Sequence, residues 1–392
     1  MKRVKLSDAF DLQMGKTPSR KCLEYWRGGT EPWISIADLS NCGKYIEQTK
    51  ENITSDAVRE SNIKIVPKNT VVMSFKLSIG KTAITKRDMY TNEAIMAFHD
   101  RGRYEILTDY LYYFCKGNNW TVGTNKAVMG LTLNKKTLSE QTMLLPDMPE
   151  QEKIVKRLDA LQEIIINRQR VLTLLDELVR SRFVEMFGDP AQNPKNLPYK
   201  KLGEVIVQAP QNGMYKPQEA YVTDQTGTPI LRIDAFYDGE IEKGKKLKRL
   251  QCTPDELEKY SLQEDDIVIN RVNSLEYLGK CAHIKNLSEA TVFESNMMRL
   301  HLQDGYNAVY VTKILCSQYV KNQILNKAKE AVNQASINQT DVQSIKILVP
   351  PLDVQNQFAT FVHQVDATKA SVQAQLDSLT TLCAKMMQDF FS

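Results

Sequence analysis

The sequence predicts an α+β protein in which two globular mixed α/β heads alternate with two long helices that pair as an intramolecular coiled coil. Three observations predict it. First, residues 145–187 place Ile154, Leu158, Leu161, Ile165, Leu172, Leu175, Val179 and Met186 on one seam. The steps alternate between four and three, as at the a and d positions of a coiled coil, with Arg168 and Arg182 as polar seam positions. Second, adding 204 to each number lands on residues 349–391 without a gap: Pro146 on Pro350, Gln151 on Gln355, Leu172 on Leu376, Leu175 on Leu379 and Phe187 on Phe391. Third, short β-like runs punctuated by glycine and asparagine precede each helix.

In chain order, residues 1–145 form the first head. Its strand-like runs are Trp33–Ile36, Thr70–Phe75, Lys81–Ile84 and Ala94–Phe98, followed by a short aromatic helix over Asp109–Cys115. Residues 146–188 form the first long helix, stopped by Gly188 and Asp189-Pro190. Between Pro149 and Gly188 no proline or glycine interrupts it, and that stretch spans roughly 55 Å. Residues 188–200 carry three prolines and read as a linker. Residues 189–348 hold the second head, and residues 349–392 the second long helix. That helix's seam is Phe358, Val362, Val365, Lys369, Val372, Leu376, Leu379, Cys383, Met386 and Phe390. The repeat extends backwards, Leu133-Asn134 matching Ile337-Asn338. The gapless copy places the helix's partner inside the same chain.

The heads diverge far more than the helices. Lys5-Leu6-Ser7-Asp8 resembles Lys201-Leu202-Gly203-Glu204, and Val71–Ser74 before Gly80-Lys81 resembles Ile267–Asn270 before Gly279-Lys280. Two helices must match each other and a shared partner, whereas two heads can read different targets.

Composition is that of an ordinary globular chain of 392 residues, 42% hydrophobic and 25% charged. A net charge of +4 neither requires nor excludes a polyanionic partner, because a near-neutral total can contain local basic patches. The seven cysteines are scattered with no CxxC pair, which predicts reduced thiols and a cytoplasmic setting. MKRVKLSDAF has no apolar core of a signal peptide, and no run approaches a membrane span.

No catalytic signature emerges. Gly80-Lys81-Thr82 ends like a phosphate-binding loop, but the glycine required five residues earlier is Phe75. Gly15-Lys16-Thr17 fails the same way at Phe10. His99, His283, His301 and His363 are isolated, so no zinc or other metal site is expected. Val349-Pro350-Pro351-Leu352 lacks the polar and aromatic residues of an amino-methyltransferase motif.

The candidate binding residues are polar and basic. Lys16, Thr17, Ser19, Arg20, Lys21 and Arg27 surround Tyr25 and Trp26; Lys76, Ser78 and Lys81 flank a strand-to-strand turn. Asn125 and Lys126, and Asn333 and Gln334, sit in polar segments before each long helix. The second head offers Tyr215, Lys216, Arg232, Arg271, Asn273 and Lys280, plus Lys245 and Lys246 from a run with five cations in residues 243–249. Lysine and arginine supply phosphate contacts; arginine, asparagine and glutamine read base edges.

Taken together, Gly15-Lys16-Thr17-Pro18-Ser19, Tyr25-Trp26, Pro32-Trp33-Ile34 and Val71–Ser74 leading to Ile79-Gly80-Lys81 resemble the specificity subunit of a type I restriction–modification enzyme. So do the two helix entries, Leu145-Pro146 with Glu150–Ile154 and Val349-Pro350-Pro351-Leu352 with Gln355. The resemblance covers essentially the whole chain. There are departures: Asn92-Glu93 stands where Asn-Gln is common, and the second head lacks the Gly-x-Thr-Pro and Tyr-Trp motifs.

The resemblance implies two target recognition domains, each reading one half of a split, asymmetric double-stranded DNA site. It implies that the helices pack antiparallel as a ruler in a pseudo-two-fold body. Two modification subunits, which hold S-adenosylmethionine, would dock on the chain, restriction subunits could join them, and the chain would carry no cofactor. Two other readings stay open at this point: a coiled-coil scaffold whose heads bind protein, and an unrecognised nuclease.

Overall fold

The computed structural model describes residues 2–76, 78–120, 125–127, 130–223, 226–242, 244–332 and 334–391, with the backbone alone for 125–127 and 130–132. The chain forms two compact units, Met1–Val171 with Val372–Ser392, and Leu172–Ser371.

Unit 1 is built on a five-stranded sheet in the order Phe10–Met14, Ile95–Asp100, Val71–Ser74, Thr82–Thr85, Tyr45–Ile46. Neighbours run antiparallel except Tyr45–Ile46, which lies parallel to Thr82–Thr85. Val71–Ser74 is buried throughout because both faces are covered. Val71 and Met73 pack with the aromatic helix Thr108–Gly117; Val72 packs with Ile34, Leu39 and Ile46. A second sheet orders Glu51–Ile53, Glu31–Ile34 and Tyr90–Thr91. Ser35 then caps the helix Ile36–Asn41, so the strand expected over Trp33–Ile36 turns helical at its end.

Unit 2 repeats the plan. One sheet orders Gln211–Asn212, Met297–Leu300, Ile267–Asn270 and Cys281–His283; the other orders Tyr221–Val222, Lys248–Leu250, Thr228–Leu231 and Val292–Phe293. Lys2–Lys5 pairs with Thr142–Leu145 at the root of the first long helix, as Tyr199–Lys201 pairs with Lys346–Leu348 at the root of the second. In both units a buried tyrosine closes the root: Tyr110 Oη donates to the Leu144 carbonyl at 2.7 Å, and Tyr310 Oη to that of Leu348 at 2.9 Å.

The long helices span Met148–Phe187 and Leu352–Phe391, 40 residues and about 60 Å each. They begin at Met148 and Leu352 rather than at residues 146 and 349, because the strands Thr142–Leu145 and Lys346–Leu348 run into Pro146 and into Pro350-Pro351 before each helix can start. Gly188 ends the first with φ of 76°. In unit 1, Gln162 Nε2 lies 3.0 Å from Cys383 Sγ; in unit 2, Lys369 Nζ lies 2.6 Å from Asp176. The partner numbers fall as the first helix's numbers rise, so the pairing is antiparallel.

The buried seam differs from the heptad expectation in two respects. Ile154, Leu158, Leu161, Ile165, Val179, Phe358, Val362, Val365, Val372, Leu376 and Cys383 are buried, but Leu172, Leu175 and Leu379 are half-exposed. After Val179 the buried positions are Phe183 and Phe187, not Arg182 and Met186. There the helix packs on head residue Tyr310 as well as on Phe358 of its helix partner, so a two-helix heptad no longer sets the buried positions. Arg182 lies beside the seam, over the Phe361 ring and paired with Glu185.

A buried glutamine ties each helix to its head. The Gln151 amide accepts from Leu107 N–H and donates to the Glu105 and Pro146 carbonyls; Gln355 accepts from Asn307 N–H and donates to the Pro350 carbonyl. Gln151→Leu strands these backbone groups, with an expected cost of about 2–3 kcal/mol in urea denaturation. An unchanged midpoint would refute the anchoring role.

Candidate nucleic-acid interface

Each head hangs three loops from one turn. In unit 1 the turn is Thr91–Ile95. Lys16 N–H donates to the Thr91 carbonyl at 2.8 Å and Gly15 N–H to that of Ile95 at 3.1 Å. Phe75 N–H donates to the Ala94 carbonyl at 2.9 Å, and Leu133 N–H to that of Phe75 at 3.0 Å. The loop after Gly15, the loop after Phe75 and the hairpin Asn125–Thr132 therefore share one base. Glycine at 15 is a steric requirement: a Cβ there would lie 2.2 Å from the Thr91 carbonyl oxygen. Glu93 accepts a hydrogen bond from Thr17 Oγ1, which gives the unusual Asn92-Glu93 pair a local partner.

Unit 2 repeats this geometry on the turn Phe293–Met297. Gly213 N–H donates to the Met297 carbonyl at 3.1 Å and Met214 N–H to that of Phe293 at 2.9 Å. Arg271 N–H donates to the Asn296 carbonyl at 2.8 Å and Ile337 N–H to that of Arg271 at 3.0 Å. A Cβ on Gly213 would lie 2.2 Å from the Glu294 carbonyl oxygen. Gly213 thus takes the place of Gly15. The sequence motif is hidden because proline follows four residues later, at Pro217, rather than three, at Pro18.

The structure separates the nominated residues into two groups. In unit 1, Lys16, Ser19, Lys21, Arg27, Ser78 and Lys81 are exposed, Thr17 and Lys76 half-buried. Among the described residues none forms an ion pair with Lys16, Lys21, Arg27, Lys76 or Lys81. Arg20 is instead engaged internally: its guanidinium lies 3.7 Å from the Trp26 ring centroid and donates to Glu51 at 2.6 and 2.9 Å. That pairing raises the Arg20 pKa and lowers that of Glu51. The backbone of Asn125 and Lys126 lies in the hairpin; their side chains are outside the described residues.

In unit 2 most nominated cations have partners distant in sequence. Lys216 pairs with Glu256 at 2.6 Å, and Lys245 with Glu242 and Asp234 at 3.3 and 3.5 Å. Arg232 lies within 4 Å of Glu294 and Asp234. Arg271 donates to the Ser295 carbonyl, and the Asn273 amide oxygen accepts from Ser274 N–H. Lys280 sits 3.9 Å from the Tyr237 ring centroid, its pKa lowered by burial. In the basic run Arg249 is bound to Glu289, Lys246 and Lys248 remain exposed, and Lys243 lies outside the described residues. Asn333 is outside them too, while Gln334 is exposed on the hairpin Lys329–Ser336. That hairpin matches Asn125–Thr132 at the offset of 204, so Asn125 corresponds to Lys329 and Gln334 to Gly130. Beside the exposed Lys329, unit 2's loops expose four large apolar groups, Tyr215, Leu275, Tyr277 and Val332, where the described part of unit 1's loops exposes Leu23.

The model of the type I restriction modification DNA specificity domain matches residues 1–175 and again 194–381, the two halves of the internal repeat. The chain belongs to this family. Among specificity subunits, it is 25% identical to that of the MjaIX enzyme of Methanocaldococcus jannaschii, over 91% of this chain and 85% of that protein. It is 23% identical to that of the EcoKI enzyme of Escherichia coli, over 91% and 80%. The fold matches the S subunit from M. genitalium with a TM-score of 0.53 at 15% identity, covering 100% of this chain and 96% of that one. A chain from a study of complex assembly in the type I R-M system matches with a TM-score of 0.63 at 16% identity, covering 99% and 97%.

The protein is therefore a DNA-recognition specificity subunit that assembles with other subunits, and it is not a catalytic subunit. Neither the protein-binding scaffold nor the nuclease reading is favoured. Among the described residues no helix is long and apolar enough to cross a membrane.

Proposed function

We propose that each unit of this specificity subunit reads one half of a bipartite, asymmetric DNA site, and that the antiparallel helices set the distance between the halves. The observation that carries this reading is the three-loop turn built twice with different loop chemistry: free cations in unit 1, apolar and aromatic tips in unit 2. Equal scaffolds with unequal loops give two unequal half-sites.

The helix pair also docks two modification subunits, with restriction subunits joining through them. Ile164, Ile166, Leu174 and Leu178 are exposed on the first long helix and offer apolar area for such a partner. S-adenosylmethionine belongs to the modification subunits, and this chain contributes position rather than chemistry. The free cysteines fit a reducing, cytoplasmic setting.

The test is to reconstitute the complex with its methyltransferase subunit and map methylated adenines in duplex DNA. A split, asymmetric site is expected; methylation without sequence preference would sink the reading. Gly213→Ala drives a Cβ into the Glu294 carbonyl and should relax the half-site read by unit 2 alone, leaving the other half intact in the same map.

A further inference from the structure

Building on the half-site reading above, we propose that Val332 is a specificity-determining residue that contacts the 5-methyl group of a thymine in the half-site read by unit 2. Val332 is 92% exposed, the most exposed large hydrophobic side chain among the described residues. It occupies the turn of the hairpin Lys329–Ser336, in which Ala331 pairs with Gln334.

This turn is not a loose loop. Val272 and Asn273 pair with Ser336 and Ala335, which makes the hairpin part of a three-stranded sheet. Ala335 is buried, and Ile337 N–H binds the Arg271 carbonyl at the base of the reading loops. An isopropyl group held in water on such a support forgoes the stabilisation that burial against a methyl group would give it.

Its surroundings identify the occupant. Lys329 is exposed at the hairpin's neck, able to meet a phosphate, and the Gln334 side chain is exposed with no partner among the described residues. A free glutamine amide matches the N6 and N7 edge of adenine, and an apolar group matches the methyl of the paired thymine. The combination fits an A·T pair, or adjacent pairs, in the major groove. The gapless repeat supplies a second line of support: Val128 falls at the position of Val332 and Ala127 at that of Ala331. Val128 itself lies outside the described residues.

The test uses the reconstituted methyltransferase complex and fluorescence anisotropy on duplexes in which each thymine of the half-site is replaced singly by uracil. Uracil keeps the pairing edge and loses only the methyl. At one position, the wild-type complex should bind about 4-fold more weakly, the value of one buried methyl. Val332→Ala should bind the thymine duplex more weakly by a similar factor and be indifferent to uracil there. The proposal is overturned if no replacement distinguishes wild type from variant, if the variant weakens every duplex equally, or if the half-site contains no thymine. Discrimination between the intact and a scrambled half-site by the wild type separates these outcomes from failure of the half-site reading itself, which would remove both.

Discussion

Phe358→Ala should destabilise unit 2 by about 3–5 kcal/mol, the usual cost of emptying a buried phenylalanine site. The ring is fully buried, with centroids 5.6 Å from Phe183, 5.4 Å from Phe187 and 6.4 Å from Tyr310. No polar group can take over the space, so the cavity stays or the helices shift. Hydrogen exchange at Ile267–Asn270 should quicken accordingly. The three tryptophans, Trp26, Trp33 and Trp120, all belong to unit 1, so their fluorescence reports that unit separately. Phe358→Leu should lose much less, about 1 kcal/mol. Equal protection in wild type and Phe358→Ala would show that the cluster does not hold the head to its helices.

Neutralising Lys16, Lys21 and Arg27 together to glutamine should flatten the salt dependence of DNA binding by the assembled complex. With three phosphate contacts removed, the slope of log K against log salt should fall in magnitude by roughly 2.7, which is roughly 500-fold in affinity at 0.1 M salt. The triple change Arg20, Lys216 and Lys245 to glutamine is the control. Those cations already have carboxylate partners at 2.6 to 3.5 Å, so their removal should alter the slope far less. Equal slopes for both triple variants would mean that internal pairing does not decide which cations meet DNA.

Much of the fold was legible because periodicity reports burial directly. The seam from Ile154 to Ile165 and the run Val71–Ser74 are read correctly from spacing and composition alone. The shift to Phe183 and Phe187 was not legible, because the heptad describes a helix packed on another helix. Near Val179 the first helix also meets Tyr310, whose place in the fold comes from a segment over a hundred residues away. The candidate site was legible in outline only. Charge can be counted along a chain, but Lys216, Lys245 and Arg249 are neutralised by Glu256, Asp234 and Glu289, which only the fold brings near. Gly213 carried one usable signal, a glycine just before a proline-marked loop, masked by a single extra residue.

The division of the chain has a consequence for its synthesis. Unit 2 is one uninterrupted segment, whereas unit 1 draws on residues to either side of it. Once residue 371 has emerged from the ribosome, unit 2 has every group it needs. Unit 1 still lacks Phe391, whose ring centroid packs 5.3 Å from Tyr110 and 6.1 Å from Phe114. From residue 171 to residue 391 is 220 residues, roughly 10–45 s at ordinary translation rates. Throughout that interval the nascent first head holds an open aromatic socket, the kind of surface that chaperones bind. The head that is made first is the one that is finished last.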